Sequence, residues 1–197
     1  MRSFSWIGAL LLTALVTLGW LSSCETLLAP AATVSFKPKL SDYGIYADTV
    51  ARFVPAAGVA QYELAAELYT DYTDKQRLVL LPAGEQMHVQ GDGLPVFPEG
   101  TLLAKTFAYT PAATTTSSAL RAIETRLLIK HESVWNAATY QWDDQQADAL
   151  LTTAGAEVPI EFVGPNGMAM QTTYQTPAQT ECASCHAQDN HLSPLGP

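Results

Sequence analysis

The chain has 197 residues, with 10 Lys and Arg against 19 Asp and Glu, for a formal net charge of −9. So acidic a balance lacks the basic footprint of a nucleic-acid binder, and no nucleic-acid partner is expected. With 48% hydrophobic residues, the part beyond an amino-terminal leader is long enough to bury one sizeable core. That leader begins with Arg2 as a short positive region, and Trp6 to Leu21 is then almost wholly apolar. This is the pattern of a secretory signal peptide. The run is near the lower length limit for a membrane-spanning helix, so an uncleaved anchor is the alternative.

Leu21-Ser22-Ser23-Cys24 closes that run and resembles the lipobox of bacterial lipoproteins. The resemblance implies that residues 1–23 are a lipoprotein signal peptide and that lipidated Cys24 opens the mature chain. Several acyl chains on one cysteine anchor a protein firmly, since each buried methylene contributes about 0.8 kcal/mol. Glu25 is not the aspartate that commonly retains such lipoproteins at the inner membrane, which favours the outer membrane. Residues 24–39 carry Ala, Pro and Thr with little periodicity and read as a membrane tether, which leaves 40–197 as the folded domain.

Leu40 to Pro55 predicts a short helix or irregular structure. Tyr62 to Tyr72 is ambiguous, since Leu64, Leu68 and Tyr72 recur at helical spacing while the tyrosines suit a strand. Arg77 to Leu81 reads as a strand ended by Pro82-Ala83-Gly84. Gly91-Asp92-Gly93 and Pro98-Glu99-Gly100 are turns. Thr101 to Tyr109 alternates, with Leu103, Lys105, Phe107 and Tyr109 on one face. Thr110 to Ser118 is a polar loop. Ala122 to Lys130 alternates again, with Ile123, Thr125, Leu127 and Ile129 on one face and Glu124, Arg126 and Lys130 opposite. His131-Glu132-Ser133 turns into an aromatic strand from Val134 to Trp142, completing an antiparallel meander.

Asp143 or Asp144 then predicts a capped helix with Ala147, Leu150, Leu151 and Ala154 as its apolar face and Gly155 as its stop. Val158 to Val163 and Met168 to Gln175 are strands around a Pro165-Asn166-Gly167 turn. Thr176 as cap, Pro177 at the first position and Gln179 as the reciprocal capping residue predict a last helix. The tail after His191 reads as frayed.

That last segment holds Cys182-Ala183-Ser184-Cys185-His186, which reads as a covalent c-type haem attachment site. Two thiols three positions apart lie about one helical turn apart, so both can form thioethers along one porphyrin edge. The adjoining His186 is then the proximal iron ligand. A zinc site with His191 as fourth ligand would be cramped, and a thioredoxin-like pair lacks its βαβ context. A structural disulfide explains the cysteines but not the histidine. The chain has three cysteines, one for lipid and two for haem, and both uses require export. The expected fold class is α+β: an antiparallel meander with a few short helices, the carboxyl-terminal helix carrying the haem motif.

The motif lies too near the carboxyl end for the small cytochrome c fold, and the period-two pattern is unlike four-helix cytochromes. Phe97-Pro98-Glu99-Gly100-Thr101, Lys105 and the terminal motif are similar to the β-sheet monohaem cytochromes, meaning beta-type cytochrome c-prime and its hydroxylamine-oxidising relatives. A closer resemblance, from Leu40 to His186, is to a family of uncharacterised exported bacterial c-type cytochromes. Leu40-Ser41-Asp42-Tyr43-Gly44, Tyr62-Glu63-Leu64, Phe97 to Phe107, Ile123 to Leu128 and Tyr140-Gln141-Trp142 carry it. Several members bear a second haem; the single motif here implies one haem c and an electron-transfer role.

Met168 and Met170, just before the haem segment, are candidates for the distal ligand, with core packing as the alternative. Met87, His88 and His131 are weaker candidates, and His191 is too close to His186 to reach the opposite face. Lys105 either lines the haem pocket or snorkels to solvent. Two functions follow. One is a lipid-anchored periplasmic electron carrier that docks a redox partner protein. The other is a five-coordinate haem, walled by Trp135, Tyr140 and Trp142, that binds nitric oxide or oxidises a small nitrogen compound. No acid–base pair or nucleophile constellation points to an enzyme, so the carrier is preferred.

Overall fold

A computed structural model of the chain describes residues 34–47, 53–91, 95–112, 120–188 and 191–194. The apolar leader and Cys24 lie outside the described residues. The architecture is mostly antiparallel β-sheet. Strands β1 (Val59–Gln61), β2 (Asp74–Leu80), β3 (Leu102–Tyr109), β4 (Arg121–His131), β5 (Val134–Trp142) and β6 (Ala149–Thr152) form one six-stranded sheet in chain order. A second hairpin pairs β7 (Ala156–Val163) with β8 (Ala169–Thr176). After it come one α-helical turn, α1 (Cys182–His186), and a two-residue ladder of β9 (Ala187–Gln188) with β10 (His191–Leu192).

The α+β expectation is therefore corrected. The helical structure after β8 amounts to a 3-10 turn over Gln179–Glu181 running into that single α turn, so a carboxyl-terminal helix carrying the haem motif is not shown. Thr176 is the last residue of β8 rather than a cap, and its hydroxyl donates to Gln141 Oε1 at 3.0 Å. The reciprocal cap falls to Glu181, whose Oε2 accepts from Ala178 N at 2.7 Å. The helix expected after Asp143 is also absent. The Asp143 carboxylate accepts from the amides of Ala147 and Asp148, at 2.9 and 3.2 Å, and so folds a tight loop. The apolar residues beyond it become β6, with Leu151 opposite Tyr140. The ambiguous segment after Tyr62 is neither helix nor strand.

Both faces of the central strands are covered, which is why β3 is apolar or buried almost throughout. On one face a row runs Leu78, Ala104, Leu127, Ala138 across four strands. Leu40, Ile45 and Tyr46 close over it. Val34 to Lys39 runs on into this layer, with Phe36 against the core and Lys39 bridged to Leu150. On the other face the corresponding row is Val79, Leu103, Leu128, Ala137. Phe97, Trp135 and Leu192 pack on it. Further along that same face Phe107 and Tyr109 meet Ile160, Phe162 and Tyr174 from the β7–β8 hairpin.

Ile123 joins this second group because of a bulge. Phe107 opposes Glu124 and Ala108 opposes Ala122, so Ile123 is the extra residue and crosses to the face opposite Thr125 and Leu127. The β4–β5 turn is tight, with both Glu132 and Ser133 at positive φ (49° and 63°). The Phe97 to Thr101 turn locks beside it: Glu99 Oε1 accepts from Ser133 N at 2.7 Å, and Gly100 N donates to Lys130 O at 2.9 Å.

Candidate functional site

Between the two apolar groups on the covered face lies a row of charge. Arg77 on β2 is opposite Lys105 on β3, which is opposite Arg126 on β4, which is opposite Thr139 on β5. Alternation puts all four on one face, where Arg77 and Thr139 are buried and Lys105 and Arg126 partly so. Arg77 is 2% exposed. Above the row is a cavity of about 340 Å³. Its floor is Leu103, Lys105, Phe107, Arg126 and Leu128; one wall is the irregular segment with Tyr62, Leu64, Leu68 and Tyr69; the other is Cys185, His186 and Pro194.

His186 is fixed by its neighbours. Its Nδ1 lies 3.0 Å from the carbonyl oxygen of Ser193. A carbonyl only accepts, so Nδ1 carries the proton and donates. Ser193 N donates back to His186 O at 2.7 Å, which ties the α1 turn to the returning strand. In the neutral imidazole the lone pair is then on Nε2, and His186 lines the cavity wall. Orienting a ligating histidine through a carbonyl on its other nitrogen is the usual arrangement at metal centres.

The two thiols are free. Cys185 is exposed beside His186 at the cavity. Cys182 is half-buried and opens to a smaller hollow with Trp135 and Ala137. Burial raises its thiol above the usual range, while Arg126 opposes the rise.

The cations are desolvated and crowd one another. Lys105 is pushed down to about 8, chiefly by burial and then by Arg77, Arg126 and Lys75, with Glu67 opposing. Its amine and the Arg126 guanidinium both lie over the Phe107 ring, at 4.8 and 4.6 Å. Arg77 Nη1 donates to Glu67 Oε1 at 2.7 Å and to Glu63 Oε2 at 3.3 Å. Arg126 Nη2 pairs with buried Glu124 Oε1, which also accepts from the Tyr174 hydroxyl at 2.5 Å. Arg77 Nε, Arg77 Nη2 and Arg126 Nε are buried without a hydrogen-bond partner.

Of the expected residues, the structure brings together Cys185, His186 and Lys105 around one cavity. The methionines lie elsewhere. Met168 is 62% exposed in the β7–β8 turn, and Met170 packs against the hairpin core opposite Phe162. Met87 is exposed, His88 bridges Val96, and His131 ends β4. Tyr140 and Trp142 belong to the core on the opposite face, and Trp135 lies under Phe97. Sequence reasoning missed Arg77 and placed Arg126 only on a polar strand face. The available signal was a cation inside an alternating strand whose two faces are both needed for packing. Among the described residues no three His, Cys, Asp or Glu side chains stand together as a metal site, so the zinc reading gains no donor set there.

The residues fit a covalently held haem. The thiols are unpaired, His186 offers Nε2, the walls are largely apolar, and the floor has idle guanidinium donors suited to carboxylates. No protein-family model, no curated protein and no solved structure matches this chain.

Proposed function

We propose that the chain is a lipid-anchored c-type cytochrome on the periplasmic side of a bacterial membrane, and that it passes single electrons to a redox partner protein. The observation that carries this is the His186 Nδ1 bond to the Ser193 carbonyl, which orients the imidazole beside Cys185 at a cavity with largely apolar walls and a cationic floor. The bound haem supplies an iron that alternates between ferrous and ferric. Cys182 and Cys185 would hold it by thioethers and His186 by its iron. Leu103, Phe107 and Leu128 would cover it with apolar surface and keep water from it. The resemblance of Leu40 to His186 to exported bacterial c-type cytochromes, and the lipobox-like end of the leader at Cys24, support the same assignment and its site outside the cytoplasm.

One observation favours a second reading. Among the described residues, the cavity lining holds no methionine and no histidine besides His186. An iron open on that side would bind nitric oxide or act on a small nitrogen compound. The test is the absorption spectrum of the chain made in a host that matures c-type haem, recorded reduced and then under carbon monoxide. Haem bands that persist through denaturation are expected. Their loss on denaturation overturns covalent attachment. A sharp reduced spectrum unmoved by carbon monoxide supports the carrier; a large shift supports the open iron.

A further inference from the structure

We propose that the Arg77–Lys105–Arg126 row is a carboxylate seat that takes the propionate groups of the haem, with Arg77 as the principal contact. The inference rests on the haem reading above and adds an orientation to it. Adjacent strands are about 4.8 Å apart, so Arg77 lies three spacings, about 14 Å, from Thr139 along the row. Cys182 shares a hollow with Ala137, which stands two residues from Thr139 on the same face of β5. A porphyrin tethered by thioethers on its vinyl edge carries both carboxylates on the opposite edge. Laid along the row from the cysteines, its carboxylates reach the Arg77 end.

The idle donors mark the same end. A buried guanidinium normally has its N–H groups satisfied, and leaving them idle costs free energy. Arg77 is 2% exposed, yet Nε and Nη2 have no partner. Nη1 shows the chemistry the group takes, since it already holds the carboxylates of Glu63 and Glu67, both at least half exposed on the cavity's irregular wall. The Nε–Nη2 edge of the fork is buried and unpartnered, and it is the edge that a bidentate carboxylate would take. Lys105 and Arg126 line the same cavity from the next two strands, and Arg126 Nε is likewise unpartnered. The charged groups around the row are Lys75, Glu63 and Glu67 on the Arg77 side and Glu124 on the Arg126 side. Their formal charges sum to −2 against +3 on the row, which leaves one net positive charge for two carboxylates, too little for bulk charge alone to hold both. The fit is therefore one of directed donors, which is what a substitution can read.

The experiment uses the full chain matured with haem, as wild type, Arg77→Gln, Arg77→Lys and Lys105→Met. Covalent haem is checked by mass. The propionate bending band is then read by resonance Raman, and the reduction midpoint by spectroelectrochemical titration. Arg77→Gln should keep its haem, shift the propionate band to lower frequency, and disfavour reduction by about tenfold, which is about 59 mV for one electron. Arg77→Lys should recover part of the midpoint but not the band, because an ammonium lacks the fork. Lys105→Met should move both in the same direction by less, and supplies the same readout if Arg77→Gln fails to fold. Haem present in all variants with an unmoved propionate band overturns the carboxylate seat and leaves the haem reading standing. A midpoint that responds to added sulfate while the band stays fixed also overturns it, in favour of a free anion. Wild type without covalent haem overturns both.

Discussion

Tyr174→Phe removes one hydroxyl from the contact between the β7–β8 hairpin and the sheet while keeping the ring. That hydroxyl donates to Glu124 Oε1 at 2.5 Å. Glu124 is 0% exposed, its other donor is Arg126 Nη2, and its Oε2 has no partner. A hydrogen bond to a charged group contributes about 1.5–3 kcal/mol, and a buried carboxylate left with one donor sits inside that range, at about 2 kcal/mol. For a domain of this size each kcal/mol moves Tm by about 2–4 °C, so the loss should be about 4–8 °C. The assay is urea unfolding at pH 7 followed by tryptophan fluorescence, repeated in a Glu124→Gln background. Coupling of about 1–2 kcal/mol between the two positions is expected. A loss under about 0.5 kcal/mol, or the same loss in both backgrounds, refutes the view that this bond holds the hairpin to the sheet.

Gly155→Ala should destabilise by about 1–3 kcal/mol in the same unfolding assay, because the new Cβ would stand 2.9 Å from the Thr176 carbonyl oxygen and 3.2 Å from Ala178 N, and backbone must yield. Asp143→Ala should cost about 1–2 kcal/mol by freeing the amides of Ala147 and Asp148, and should raise hydrogen exchange at those two amides. Burial pushes the Tyr46 hydroxyl up to about 12, with its Thr106 bond opposing. Its contribution is fully present below pH 10 and is lost as pH climbs from 10 toward 12, so Tyr46→Phe should lose stability less steeply across that window, by about 2–3 kcal/mol in all.

The meander was legible because its strands obey a period of two. Thr101 to Tyr109 and Ala122 to Lys130 alternate in sequence, and their partners fall in register in the structure. The last strand of the sheet was not legible. Ala147, Leu150, Leu151 and Ala154 have helical spacing behind a good cap, and pairing of Leu151 with Tyr140 overrides that local signal. Ile123 followed the alternation on paper but changes face at the bulge, which no local residue announces. At the site, the thiols and His186 were visible from spacing alone. The cation row was not, because a charged residue in an alternating strand reads as solvent-facing until a second layer is known to cover that face. The Ser193 carbonyl that orients His186 belongs to the backbone of a tail read as frayed, so composition carried no trace of it.

The sheet follows chain order from β1 to β6, and this bears on how the protein assembles. Each strand can add to the one just formed, so a chain that folds as it is made need not wait for distant segments. The wall of Cys185, His186 and Pro194 comes last, and it stands over a floor drawn from β3 and β4. The sheet would thus stand complete with its charged row open while Cys182 and Cys185 are still extended and accessible. Order of synthesis would leave a period in which the floor is finished and the door is not yet shut.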